Sequence, residues 1–477
     1  MKNIYIVVLL GFFAFSCNTK EENKATQKPN IIYINVDDLG WMDTETYGSS
    51  FYETPNISKL AEMGMMFTNG YASAANCAPS RACLISGQNT PRHGIYTVGN
   101  SDRGNKKTRK LIPIENTEIL HDSVITMAEM FKKAGYVTGT FGKWHLGEDP
   151  TTQGFDVNIG GSHNGNPGSE GYFSPYNIKY IEDNTPNENL TDRLTSEAVK
   201  FIQKNKEQPF FVYLPFYAVH TPLSTTSLLE RKYTDKGGNK LQNKAVYAGM
   251  IETVDKNIGI LLNTLDELNL QNTLIVFTSD NGGIRAISSQ DPLRAGKGSY
   301  YEGGIRVPYI ISWNGVVKPN SVSETPISNL DFYPTFMDVT GVKLPNKVLD
   351  GTSILPVLKG GSIAERPLFF HFPIYLQSYS GKKDDARDPL FRTRPGSVII
   401  EGNWKLHQYF EDNALELYNL TTDLGERTNV VDAYPEKATE LLGKLNEWRK
   451  NTKAPIPTEL NLDYDPNFVH KKKKKDL

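Results

Sequence analysis

The sequence predicts an α/β sandwich, a large mixed and mostly parallel sheet between helices, followed by a smaller C-terminal α+β domain with an antiparallel sheet. Three observations carry this. Apolar runs at 31–36, 136–141, 209–217 and 273–278 are continuous rather than alternating, as in strands buried on both faces. Amphipathic helical stretches lie between them. Near the C-terminus, three short strands separated by EGN- and EDN-type turns are followed by one helix. A chain of 477 residues has room for two or three domains.

In chain order, Lys2 and an apolar run over 4–15, broken only by Gly11, read as an export signal of residues 1–16. At about 1.5 Å per residue this run is too short for the ~30 Å hydrocarbon core of a bilayer. Ser16-Cys17 resembles a bacterial lipoprotein cleavage site, which would make Cys17 the lipidated first residue of the mature chain. Ordinary signal-peptidase cleavage nearby is the alternative. Residues 17–29 are polar and aperiodic, a flexible tether. Their Lys20-Glu21-Glu22 resembles the acidic signals that send some Bacteroidetes-type lipoproteins to the outer surface.

The first strand, 31–36, opens a domain spanning 30–365. Thr54 as N-cap and Pro55 in the first turn begin a helix carrying Ile57, Leu60 and Ala61 and ending at Gly64. A helix over 123–134 presents Ile125, Ala128 and Phe131 and stops at Gly135, before the strand 136–141. Helices at 191–205 and 243–268 precede the strands 209–217 and 273–278. The C-terminal subdomain, 366–460, has strands at 397–400, 404–409 and 416–420 and a helix near 436–450. Residues 461–477, with the run Lys471 to Lys475, read as a basic, disordered tail.

The whole chain carries a net charge of −2. Residues 17–470 hold 46 basic and 53 acidic groups, a balance of −7. Such an acidic body is a poor partner for nucleic acid. Three cysteines exclude a disulfide-rich scaffold.

Polar residues unsuited to a buried sheet stand just after four of these strands: Asp37 and Asp38, Lys143 and His145, His220, and Asp280 and Asn281. Ligand sites of open α/β sheets form beyond the carboxyl ends of the strands. One such Asp is more simply a helix cap or a turn former; four strand ends together point to a site. Adjacent carboxylates at 37 and 38 repel unless a cation lies beside them. With Asp280 and Asn281 the donors are all oxygens, which suits Ca²⁺ or Mg²⁺. A zinc pair would want histidines, and the eight in the chain include no HExxH.

The stretch Cys77-Ala78-Pro79-Ser80-Arg81, with Ser86-Gly87 downstream, resembles the signature of type I sulfatases, in which the cysteine is oxidised to Cα-formylglycine. The other candidate residues follow in the family's chain order. Glu416-Leu417-Tyr418-Asn419-Leu420 followed by Asp423 resembles its smaller domain. The resemblance runs from Asn30 to about Lys450, extends to bacterial polysaccharide sulfatases of the Bacteroidetes type, and implies the alkaline-phosphatase-like fold. A cysteine phosphatase would need Cys-x5-Arg, where this chain has Cys83. A Cys77–Cys83 disulfide is the structural alternative. No Gly-x-Ser-x-Gly elbow or Walker A loop is present.

The resemblance assigns roles. Asp37, Asp38, Asp280, Asn281 and the modified Cys77 would hold the metal, Ca²⁺ or else Mg²⁺. A hydroxyl of hydrated formylglycine at 77 would attack sulfur, and loss of a proton from the second would expel sulfate. Arg81, one helical turn on, would hold the diol and balance the carboxylates. Lys143 and Lys297 would bind sulfate. His145, placed by extended-chain alternation on the same side as Lys143, would act as base. His220 would contact sulfate and protonate the leaving oxygen. His371, in His-Phe-Pro at the domain junction, is the candidate sugar reader. His93, His121, His163, Arg103, Arg109 and Arg294 are further cleft candidates.

The expected protein is therefore an exported, lipid-anchored sulfatase of the periplasm or outer-membrane surface. It would act on a sulfated polysaccharide or its oligosaccharides, such as ulvan, carrageenan or glycosaminoglycan, with an exo-acting pocket. A formylglycine-generating or anaerobic sulfatase-maturating enzyme is its implied partner. The alternatives are a phosphodiester or phosphonate ester hydrolase of the same superfamily and a non-catalytic glycan-binding lipoprotein.

Overall fold

The computed structural model describes residues 28–468 apart from 184 and 345. Its centre is an eight-stranded sheet in the order Val157–Ile159, Val137–Phe141, Phe210–Pro215, Asn30–Val36, Thr273–Ser279, Tyr309–Trp313, Met65–Phe67, Ser321–Ser323. The first five are parallel, and Tyr309–Trp313 runs antiparallel to both its neighbours.

The central strand explains its own composition. Ile32, Ile34 and Val36 enter one core beneath the helices Pro55–Glu62, Leu190–Asn205 and Ala245–Glu267. Ile31 and Tyr33 enter a second core beneath Cys77–Ser86, Met127–Lys133 and Phe332–Thr340. Alternate side chains point to opposite faces and both faces are covered, so the run has to be apolar throughout.

A second sheet, Leu368–Phe372, Gly396–Glu401, Trp404–Tyr409 and Leu415–Asn419, is wholly antiparallel. Ile399, Leu406 and Leu417 on one face pack against Leu441 and Leu445 of the helix Pro435–Thr452. Phe370, Val398 and Ile400 on the other meet Tyr71, Ala75, Tyr300 and Ile305 of the larger domain.

Several expectations are corrected. The helix expected from residue 123 begins at Met127, because Thr126 and Glu129 form a reciprocal capping box, and Ile125 is left 42% exposed. Thr54 caps no helical N–H, since its hydroxyl accepts from Glu45 N instead. Lys28 and Pro29, assigned to the tether, are held by Lys28 Nζ donating to Ala134 O and Tyr136 OH donating to Pro29 O. Residues 461–468, assigned to the tail, pack on the larger domain: Asn461 Nδ2 donates to Lys106 O and Arg109 O, each at 2.7 Å. The export signal, Cys17, the rest of the tether and the lysine run lie outside the described residues. No helix among the described residues is long and apolar enough to cross a membrane.

Candidate active site

The carboxyl ends of the parallel strands deliver the site. Asp37 and Asp38 follow Asn30–Val36, Asp280 and Asn281 follow Thr273–Ser279, and His220 lies beyond Phe210–Pro215. Lys143 and His145 follow Val137–Phe141, but not by simple alternation. The segment bends, with Gly142 at φ +127° and His145 at +65°. Gly142 is tied to the neighbouring strand, where Lys143 N donates to Pro215 O and a Cβ at 142 would lie 2.0 Å from that oxygen. Asp38 also adopts the left-handed conformation, φ +62°, and its carboxylate reaches Lys297 and Asn281.

Cys77 is the first residue of its helix, and Pro79 sits in the first turn, where a missing N–H breaks no helical bond. Ser80 is held by Asn329, whose Nδ2 donates to both its carbonyl and its hydroxyl at 2.9 Å. Gly87 ends the helix at φ +67°, packed so closely that a Cβ would lie 2.6 Å from Leu349 Cδ2. Cys77 and Cys83 are both free. Six residues apart on one helix, their Cα atoms are separated by about 9 Å, beyond disulfide reach.

Around Cys77 the structure gathers three carboxylates and three cations. Cys77 Sγ lies 3.3 Å from Asp37 Oδ1 and 3.8 Å from Asp38 Oδ1. Arg81 grips Asp280 Oδ2 through Nε at 2.9 Å and NH2 at 2.7 Å, and its NH1 donates to Lys143 O. Lys143 Nζ is 2.6 Å from Asp37 Oδ2, and Lys297 Nζ is 2.7 Å from Asp38 Oδ2. His220 Nε2 stands 3.7 Å from Asp38 Oδ2. His220 Nδ1 lies 2.6 Å from Thr221 O; a carbonyl only accepts, so Nδ1 carries the hydrogen and Nε2 faces the carboxylates.

The donor set fits a hard cation. Oxygens of Asp37, Asp38 and Asp280 lie with Cys77 Sγ within 4.8 Å of one another, and the buried Asn281 Oδ1 has no hydrogen-bond partner among the described residues.

Burial, followed by the Asp37 carboxylate, pushes the Cys77 thiol far up, so an unmodified cysteine here stays protonated and is a poor nucleophile. Burial pushes Asp37 up, with Lys143 opposing. Burial acts the same way on Asp38, but Lys297, His220 and Lys143 outweigh it and hold that carboxyl well below the usual range. Burial, then Lys143 and Arg81, hold His145 far below the ordinary imidazole value. Burial and then Lys297 bring His220 down to about 3. Burial thus holds both imidazoles toward the neutral form.

His371 is corrected from cleft to core. It is 1% exposed, with Nδ1 2.8 Å from Ser397 Oγ and Nε2 2.9 Å from Pro455 O. Its ring ties the segment after the last helix to the second sheet and reads no sugar. His93 is buried beside Cys83, His121 bonds Ser123, Arg109 pairs with Asp102, and Arg294 lies over the Tyr301 ring. Only His163 among the histidine candidates adjoins the site, with its ring 6.2 Å from that of His145.

Other contributors carried no local signal. A Cβ at Gly165 would lie 2.3 Å from His145 Cε1, so this glycine makes room for the imidazole. Buried Asp43 accepts from Ser288 Oγ at 2.6 Å, Tyr247 OH at 2.8 Å and Gly40 N at 2.9 Å, fixing the loop that begins with the paired aspartates. Gly282 approaches Gly303 so closely that a Cβ would sit 2.0 Å from its carbonyl oxygen.

Comparison with known proteins agrees with this geometry. The profile described as Sulfatase matches residues 29–342, and one described as N-sulphoglucosamine sulphohydrolase, C-terminal, matches 296–451. A sulfatase of Formosa agariphila is 34% identical over 95% of this chain and 95% of its own length. The N-acetylgalactosamine-6-sulfatase of Homo sapiens is 33% identical over 73% of this chain and 69% of its own. The crystal structure of Ps i-CgsB in complex with k-i-k-neocarrahexaose superposes with a TM-score of 0.73 at 29% identity, covering 94% of this chain and 96% of that one. Matched over most of its length by family profile, sequence and structure, this chain belongs to the sulfatase family and is a sulfuric ester hydrolase.

Proposed function

We propose that the protein hydrolyses sulfate esters of a sulfated polysaccharide or its oligosaccharides, through formylglycine made from Cys77. The observation that carries this is the position of Cys77 Sγ, 3.3 Å from Asp37 Oδ1 within a closed set of three carboxylates and three cations. The relative named N-acetylgalactosamine-6-sulfatase and the solved structure in complex with k-i-k-neocarrahexaose support a carbohydrate substrate.

A formylglycine at 77 would supply, when hydrated, the hydroxyl that attacks sulfur. A Ca²⁺ or Mg²⁺ held by Asp37, Asp38, Asp280 and Asn281 would lower the pKa of that hydroxyl. Arg81 orients Asp280 and keeps the carboxylate cluster neutralised. Lys143 and Lys297 supply the positive charge that an anionic ester needs. His145, neutral and with Nδ1 unpartnered, accepts a proton. His220 presents Nε2 toward the reaction centre; an anionic ester beside it raises its proton affinity, equipping it to protonate the departing oxygen.

Export through residues 1–16, lipidation at Cys17 and a periplasmic or cell-surface location belong to the same proposal, supported by the N-terminal sequence. So does dependence on a maturation enzyme for residue 77.

Two measurements test the reading. Intact mass of protein from a maturation-competent host distinguishes an aldehyde at residue 77 from a thiol, and a thiol in active enzyme would sink the mechanism. Sulfate release is then measured over a panel containing neocarrahexaose, N-acetylgalactosamine 6-sulfate, ulvan oligosaccharides and 4-nitrophenyl sulfate, with 4-nitrophenyl phosphate as control. Faster turnover of the phosphate than of every sulfate would overturn the assignment.

A further inference from the structure

Tyr379 lies between the short strands Leu376–Gln377 and Phe391–Thr393, which pair with each other. It is 53% exposed, yet it is held in place from several directions. Asp384 pins the turn, accepting from Ser378 Oγ and Tyr379 N at 2.6 Å and from Ser380 N at 3.1 Å. One face of the ring is covered by Arg392, whose guanidinium carbon is 3.4 Å from the ring centroid. Arg392 is only 5% exposed and is itself anchored, Nε donating to Gln377 O at 2.9 Å and NH1 to Lys297 O at 3.0 Å. Gly298 permits the approach, for a Cβ there would lie 2.7 Å from both Arg392 NH1 and Leu376 Cδ2.

Tyr379 is therefore coupled, through one side chain, to the backbone of Lys297. An aromatic ring that packs on a planar cation yet stays half exposed, on a turn fixed by a buried carboxylate, is a preorganised binding surface. Sugar rings present a face of C–H groups that packs on such a ring, while their hydroxyls remain hydrated.

We propose that Tyr379 is a substrate-positioning residue, whose half-exposed ring stacks against the pyranose ring adjoining the sulfate ester. This rests on the sulfated-carbohydrate reading above. Arg392 acts through Tyr379 by holding its ring.

The test uses the matured full-length enzyme and the panel member with the highest kcat/KM among the saccharides. Tyr379→Leu retains an apolar cover over Arg392 but loses the aromatic face; Tyr379→Phe keeps the face. An aromatic stacking contact at the upper end of its usual range, about 1.4 kcal/mol, corresponds to roughly a tenfold change. Tyr379→Leu is expected to raise KM about tenfold with kcat within about threefold, and Tyr379→Phe to stay close to wild type. Inhibition by inorganic sulfate should be unchanged in both. An unaltered KM in Tyr379→Leu overturns the proposal, as does a parallel loss of sulfate inhibition, which would place the effect on Lys297. If wild-type enzyme hydrolyses 4-nitrophenyl sulfate but no saccharide, the carbohydrate reading fails first and takes this inference with it.

Discussion

Lys405 of the second sheet forms a wholly buried ion pair with Glu302 of the larger domain, at 2.9 Å. The same ammonium lies 3.0 Å from Glu426, and Glu302 also accepts from Arg306 NH1 and Tyr71 OH. Glu302 opens the short turn Glu302–Ile305, against which the Asp280-Asn281-Gly282 loop rests: Gly282 N donates to Gly304 O at 2.9 Å. Removing Lys405 leaves the buried Glu426 carboxylate without a counter-charge, while Glu302 keeps Arg306, at a cost of about 3–5 kcal/mol. Lys405→Met should thus lower the calorimetric unfolding temperature markedly and reduce kcat. Adding Glu426→Gln to it should recover part of the lost stability.

Gly165 tests how tightly His145, the base in the proposed mechanism, is positioned. Its Cα hydrogen faces the His145 ring, and the methyl of Gly165→Ala would need the space of the imidazole. A displacement of about 1 Å costs about 10²-fold in rate. kcat should fall by that order while circular dichroism and melting temperature remain close to wild type, since Gly165 has an ordinary φ in an irregular segment.

Cation removal should separate the donor set from a merely structural acidic cluster. Dialysis against EDTA should abolish sulfate release, and Ca²⁺ or Mg²⁺ should restore it. Titration calorimetry of the apo-protein should show one site, lost in Asp280→Ala. That variant also removes the nearer of the two carboxylates paired with Arg81, so activity should fall by ~10²-fold or more even at saturating cation.

Acid stability follows from His371. Burial lowers this imidazole from 6.5 to about 3. Between those values the unfolded chain binds a proton that the folded chain refuses, so its contribution is complete above about pH 6.5 and is lost as pH falls toward about 3. The slope approaches ~1.4 kcal/mol per pH unit. His371→Gln should be less stable at neutral pH and show a shallower decline from about pH 6 to 4 in denaturant titrations.

The parts of this molecule legible in the sequence are those whose cause is local. Asn30–Val36 announces itself because burial on both faces demands an unbroken apolar run, and Asp37-Asp38 stand out because carboxylates do not extend such a strand. Met65–Phe67 has three residues, too few to show a period, and becomes a strand only by pairing with Tyr309–Trp313 and Ser321–Ser323. Gly165, Asn329, Glu302 and Tyr379 act on or near the site through partners distant in sequence or through backbone contact, so neither composition nor spacing marks them. His371 failed for the converse reason: its neighbours in the chain suggest a junction, whereas Ser397 and Pro455 close over both ring nitrogens.

All ten residues of Cys77–Ser86 are buried, and Cys77 itself is 1% exposed. An enzyme that oxidises this thiol needs to grasp the surrounding peptide, and the finished fold offers none of it. Conversion of residue 77 would therefore belong to the biography of the chain before it closes, during or just after synthesis. A molecule that folds first would be sealed in its thiol form, well folded and inert, and later exposure to the maturation enzyme would not rescue it without unfolding. Yield of active enzyme in any host would then be set by a race between modification and folding, and soluble yield alone would be a misleading guide to activity.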